Sequence, residues 1–259
     1  MACRVAACRL RGVPSYGFFT LVPVALRCTE GEDISWYYNA KKYVAPEPPG
    51  DVVREGSFHQ YTNIEHYYRY PELLNGQQVI MCEKCHGTNC RVGLVRDGDD
   101  WNYAAGSHRV RRKAGAYWMP LDIPGVQDLI QELHSGENEV IVFGEIYGQG
   151  VQDMDYGTTR DFRVFDISVN GQYIDWSDAR YLCDKWGVAT VPQLYVGQCT
   201  PEIVELYTNG PSVIGESARF KGREGIVIRP LHEITTTMRH ILKSVSVDYL
   251  NRKNPTDHA

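Results

Sequence analysis

A chain of 259 residues can bury a hydrophobic core as one large domain or two modest ones. With 43% hydrophobic residues, 23% charged residues and 17 tyrosines it is an ordinary folded chain, which excludes disorder except at the ends. A net charge of -5 argues against a protein that coats nucleic acid non-specifically, and no segment reaches the roughly 18 apolar residues of a membrane span or the apolar run of a secretory signal.

The chain is therefore expected to be intracellular and soluble, with its eight cysteines as reduced thiols. From the N-terminus, Cys3 to Val13 alternates loosely and reads as a strand, followed by a turn at Pro14 to Gly17 and a short apolar run, Phe18 to Val22. The segment Tyr43 to Gly56 holds Pro46, Pro48, Pro49 and Gly50 and reads as a loop or linker. Beyond it the spacing predicts strands at Gln78 to Cys82, Cys90 to Val95, Glu139 to Glu145, Phe162 to Ser168, Gln172 to Asp175, Gly225 to Pro230 and Arg239 to Val245. Asn170-Gly171 is a two-residue hairpin signal, since both central positions of a type I′ turn need positive φ. Helices are predicted at Gly125 to His134, at Ser177 to Trp186 with Gly187 as its stop, and at Pro201 to Tyr207 with Thr200 as N-cap. The mixture is α+β without βαβ alternation, antiparallel sheets flanked by helices. One dense basic run, Arg109, Arg111, Arg112 and Lys113, reads equally well as a phosphate contact or a solvated surface.

Between the first two predicted strands of the main block lies Glu83-Lys84-Cys85-His86-Gly87-Thr88-Asn89. A lysine amine is a nucleophile only when deprotonated, so its ordinary pKa of about 10.4 must be drawn down by partial burial or by neighbouring cations. A glycine at position 87 would let the backbone pass close to a phosphate or ribose. Taken alone the string is weak. It is followed in order by Phe143-Gly144-Glu145-Ile146-Tyr147-Gly148, Val164-Phe165-Asp166-Ile167, Glu224-Gly225-Ile226-Val227-Ile228-Arg229-Pro230 and Leu242-Lys243-Ser244-Val245-Ser246.

That ordered series resembles the motifs of covalent nucleotidyltransferases, the superfamily of polynucleotide ligases and capping enzymes. The His86-Gly87-Thr88-Asn89 form is similar to the ATP-dependent RNA ligases that seal nicked duplex RNA; DNA ligases and capping enzymes usually carry aspartate where His86 stands. The resemblance runs from about Arg9 to Leu250. It implies a single nucleotidyltransferase domain over residues 1–259. Residues 1–13 resemble the last strand of a preceding OB domain, either truncated here or dispensable in a minimal member.

The resemblance also implies roles. Lys84 would attack the α-phosphorus of ATP and hold AMP as a phosphoramidate. Glu83 would read the adenine edge, Glu145 would bind the ribose hydroxyls, and Phe165 would stack on the base. Glu224 would hold a divalent cation, magnesium or manganese. Lys243 would grip the α-phosphate and help lower the pKa of Lys84, without the second lysine that many relatives carry where Val245 stands. Asn89 would contact the RNA 3′ end, and Arg109 would attend the phosphates. The implied partners are RNA ends or a nicked duplex, with no membrane.

Other readings compete. Cys82-Glu83-Lys84-Cys85-His86 has the spacing of a c-type haem attachment site, but haem attachment needs export and leaves four motifs unexplained, so no haem is expected. A zinc site of Cys82, Cys85 and Cys90 lacks a second cysteine pair at the usual distance. A DNA ligase, a capping guanylyltransferase and a non-catalytic adenylate- or RNA-binding module are the remaining alternatives.

Overall fold

The computed structural model describes residues 57–236 and 238–252, together with 9, 10, 13, 14, 27, 29, 37, 52 and 53. Its strands are β1 (Arg9–Leu10), β2 (Val13–Pro14), β3 (Val52–Val53), β4 (Glu65–His66), β5 (Gln78–Glu83), β6 (Thr88–Asp97), β7 (Asp100–Ser107), β8 (Arg111–Arg112), β9 (Val140–Tyr147), β10 (Asp161–Val169), β11 (Gln172–Tyr173), β12 (Gln193–Gln198), β13 (Gly225–Pro230) and β14 (Leu242–Val245). The α-helices are α1 (Val126–His134), α2 (Trp176–Lys185), α3 (Pro201–Thr208) and α4 (Val247–Asn251). The α+β expectation holds.

Seven strands form one sheet in the order β11-β10-β9-β6-β7-β8-β3, antiparallel throughout. Five form a second, β12-β5-β13-β14-β4, antiparallel except where β4 runs parallel to β14. Side-chain alternation gives each sheet two unlike faces. On the larger sheet, Cys90, Val92, Val142 and Ile146 join Leu129 and Ile130 of α1 and Trp176 and Cys183 of α2 in the main core. On the smaller sheet, Met81, Ile226, Ile228 and Leu242 pack with Val204 of α3. The remaining faces turn toward each other. None of the described helices is long and apolar enough to cross a membrane.

Caps and turns account for several boundaries. Thr200 accepts the Ile203 N–H at 3.3 Å, so the predicted N-cap is in place, and α3 follows with Pro201 at its first position. Asn170 and Gly171 hold φ of 50° and 77°, the two positive values that a type I′ turn needs, and Val169 pairs with Gln172 across it. The chain departs from expectation at other points. The predicted strand from Cys3 does not run on through Val13: Arg9–Leu10 pairs antiparallel with Val13–Pro14. Val52–Val53, inside the predicted linker, forms a sheet edge against β8. The run Phe18 to Val22 lies outside the described residues. Arg239, placed on the final strand, makes only an isolated bridge to Thr235, because its guanidinium is drawn into a buried ion-pair network.

Candidate active site

A cavity of 290 Å³ lies between the two sheets. Six of the eight predicted site residues line it: Glu83, Lys84, Asn89, Glu145, Phe165 and Lys243. They come from both walls. On the smaller sheet, Val227 stands in register between Cys82 of β5 and Lys243 of β14, and all three meet the cavity. On the larger sheet, Asn89, Glu145 and Arg163 are register partners on β6, β9 and β10.

Lys84 leaves β5 and is fixed at the start of β13, where its backbone N–H donates to the Gly225 carbonyl at 2.9 Å. Its Nζ lies 2.6 Å from Glu224 Oε1; the lysine side chain is 24% exposed and the glutamate only 2%. Glu224 thus stands behind the lysine rather than on the cavity wall. Gly87 lets the backbone run close to a neighbouring strand. A Cβ there would meet the Ile146 carbonyl oxygen at 2.1 Å, so the glycine lets the Lys84 loop pass against β9, the strand that carries Glu145.

Phe165 reaches the cavity through an irregularity. Val164 pairs with Gly144 and Asp166 with Phe143, which leaves Phe165 as the extra residue of a β-bulge. Such a residue is re-aimed relative to the ladder. The 189–191 segment fixes the distortion, since Val164 N–H donates to Ala189 O at 2.8 Å and Val191 N–H to Val164 O at 2.9 Å. Phe165 packs on the apolar clusters and also meets the cavity, with the Tyr61 ring edge-on at 4.9 Å.

Glu83 is 1% exposed, so it is not a solvated acid at the strand end. Its Oε1 accepts the Ser212 hydroxyl and its Oε2 the Val213 N–H at 2.9 Å. Burial pushes the carboxyl above its ordinary value against the pull of those two donors. The Asn89 Oδ1 is buried with no hydrogen-bond partner, an orphaned polar atom in the cavity wall. Arg109 is not brought to the cavity; His108 takes that place, while the Arg109 carbonyl accepts the Gln60 amide at 3.1 Å. Arg111 of the same basic run is buried and pairs with Asp97 at 3.1 Å, whereas Lys113 is exposed.

Among the described residues no group of three or more His, Cys, Asp or Glu side chains could hold a metal by itself. Glu224 offers one carboxylate, a donor set that suits a hard cation sharing its remaining positions with phosphate oxygens and water.

Several participants carried no sequence signal of their own. Tyr61 lines the cavity and donates its hydroxyl to Asp166 at 2.7 Å, far from any motif. Val227 and Arg229 lay inside the Glu224–Pro230 string, where strand alternation after Glu224 could have assigned them to the cavity side.

Two largely antiparallel sheets enclosing a cavity, with a lysine on the loop that leaves one of them, fit a nucleotidyltransferase-like fold. A model of the RNA ligase family matches residues 77–245, and the chain belongs to that family. Among solved structures, a lysine-to-alanine variant of Naegleria gruberi RNA ligase with ATP and Mn superposes with a TM-score of 0.74 at 21% identity, covering 95% of this chain and 76% of that one. A lysine-to-methionine variant of the same enzyme, with AMP and Mn, gives 0.72 at 21% identity over 95% and 76%. A structure of that ligase with pyrophosphate gives 0.71 at 21% over 95% and 75%. At this identity the likeness is one of fold.

Proposed function

We propose that the chain is an ATP-dependent RNA ligase whose first step places AMP on Lys84. The observation that carries this reading is the convergence of Lys84, Glu145, Phe165 and Lys243 on one cavity between the sheets. The adenine lies between Phe165 and the floor containing Val227, a contact available to any base with a π face. Glu145 faces the ribose, and Lys243 neutralises the α-phosphate. With both carboxylate oxygens engaged, Glu83 holds the 212–213 loop, and base-edge contact comes from its main chain.

For attack, Lys84, 24% exposed, releases one ammonium proton to solvent and gives up its ion pair with Glu224. The positive charge of Lys243 favours that loss. The amine forms a nitrogen–phosphorus bond as the bond to the bridging oxygen breaks, and pyrophosphate leaves. A divalent ion, magnesium or manganese, held through Glu224 would supply the neutralising charge that the triphosphate needs. Transfer to an RNA 5′-phosphate and attack by a 3′-hydroxyl follow, with the orphaned Asn89 Oδ1 as acceptor for a hydroxyl at the RNA 3′ end. Residues 57–252 act as one nucleotidyltransferase unit, and the RNA is presented as a nick or a pair of ends.

The test is incubation with α-labelled ATP or GTP followed by denaturing electrophoresis. Label from ATP, lost in Lys84→Ala while the far-ultraviolet dichroism is unchanged, is the expected result. Label from GTP would make the chain a guanylyltransferase, and label retained by the alanine variant would remove Lys84 from its role.

A further inference from the structure

Four side chains from outside the described cavity converge on the loop that carries the nucleophile. His86, two residues after Lys84, is 1% exposed, and each end of its ring is tied. Its Nε2 lies 2.9 Å from Asp153 Oδ1. Its Nδ1 lies 3.1 Å from the Tyr249 hydroxyl and 3.4 Å from Glu224 Oε2. The backbone N–H of His86 donates to the Tyr156 hydroxyl at 2.7 Å. Arg252 closes the ring of contacts, donating from Nη1 to Asp153 Oδ1 at 2.9 Å and lying 4.0 Å over the Tyr249 ring. Tyr249 and Arg252 belong to α4 and its C-cap, beyond the matched residues 77–245.

We propose that Tyr249 and Arg252 are positioning residues that act through His86 to keep Glu224 aimed at Lys84. The role rests on the proposed function, because it presumes that Lys84 is the nucleophile. A glutamate at the start of a strand has three rotatable bonds, and a carboxylate free to swing would hold Nζ in many places. Here one carboxylate oxygen takes the lysine at 2.6 Å while the other faces an imidazole that cannot turn. Asp153 fixes the far end of that imidazole, Tyr249 fixes the near end, and Arg252 anchors both. Groups that orient a reactive side chain in this way matter in proportion to the geometry they enforce. The contact chain also ends on the reacting amine, whereas a device for stability alone would have no reason to.

The experiment is single-turnover capture of α-labelled ATP by the full chain with magnesium, with ATP varied, on wild type, Tyr249→Phe, Arg252→Met and Arg252→Lys. Tyr249→Phe removes one hydroxyl and keeps the ring contacts, and Arg252→Lys keeps a charge within reach of Asp153. The rate at saturating ATP should fall about tenfold in Tyr249→Phe and Arg252→Met, in line with losses typical of orienting partners. The ATP concentration for half-maximal rate should hold, and Arg252→Lys should recover most of the rate. Melting curves identify any variant that is unfolded at the assay temperature. If Arg252→Met is one, Tyr249→Phe decides the matter. A saturating rate equal to wild type in folded Tyr249→Phe overturns the role, as does a change confined to the half-maximal concentration. Failure of wild type to capture label overturns the proposed function and this role together, whereas labelled wild type with unaffected variants overturns this role alone.

Discussion

Phe165 is placed in the cavity by being one residue too many for its strand. A regular ladder through Val164, Phe165 and Asp166 would alternate their directions; the bulge lets Phe165 meet the cavity while Asp166 stays fully buried. If the ring stacks on the base, its loss costs on the order of 1–3 kcal/mol, by analogy with stacking in single strands. Phe165→Ala should therefore raise the ATP concentration for half-maximal capture about tenfold or more. A variant that melts early with unchanged ATP dependence would mark the ring as core. Glu83 sets a pH dependence. Burial raises its carboxyl above the ordinary 4.5, so the folded chain binds that proton more tightly than the unfolded one. Its contribution to stability is fully present below the unfolded value and is lost as pH rises through the folded one. Glu83→Gln can still accept the Val213 N–H and removes that loss. Urea midpoints followed upward from pH 4 should fall less in Glu83→Gln than in wild type, and parallel curves would contradict the assignment.

At the scale of elements, the loop joining β5 and β6 works because it can lie against β9. Gly87→Ala puts a methyl carbon 2.1 Å from the Ile146 carbonyl oxygen, and backbone cannot swing aside as a flexible side chain could. We expect a loss of roughly 1–3 kcal/mol, as for other overpacked sites, together with slower AMP capture as the Lys84 loop moves. Chemical denaturation and the capture assay on one preparation would check both. Helices α1, α2 and α3 were legible because their signals are local: Thr200 with Pro201 opens α3, and Gly125 precedes α1 as its N-cap, whereas the five-residue α4 was not expected. Strands β7 and β12 were not. In β7, two alanines, a glycine and an aspartate at its start lower the β propensity, and it forms because β6 offers a partner along its whole length. Its hairpin rests on Asp97-Gly98, a short turn signal in the sequence, with Gly98 at φ of 70°.

Across the whole molecule, the two sheets are joined by charge as well as by apolar packing. Asp166 of β10 is completely buried and lies 3.3 Å from Arg229 Nη1 on β13 and 2.7 Å from Arg239 Nη1, which precedes β14. Tyr61 donates to the same oxygen, and Arg239 also pairs with Glu233 at 2.7 Å. Removing the carboxylate would leave two buried guanidinium groups without their shared counter-ion. Asp166→Ala should cost about 3–5 kcal/mol, as breaking buried pairs does. Thermal melting is the measurement, and a change under 1 kcal/mol would mean that the sheets are held by apolar contact alone. The free cysteines give a second global readout. Cys82 is fully buried and burial pushes its thiol up to about 11; Cys85 is raised by the same cause. Neither should be alkylated at neutral pH until the sheets separate, so labelling should follow the melting transition.

The sequence by itself determined the α+β class, the hairpin at Asn170-Gly171, the N-cap of α3 and the cavity-lining loop around Lys84, because these depend on local conformational preference and on short ordered strings. It also placed Glu145, Phe165 and Lys243 in one site through their resemblance to family motifs. Tertiary structure decided what no local string contains. It took Arg109 out of the site, buried Glu83 against the 212–213 loop, and brought Tyr61, Asp153, Tyr249 and Arg252 around motifs distant in sequence. Those outcomes follow from strand register, a bulge and the pairing of buried charge, which exist only once the two sheets have met.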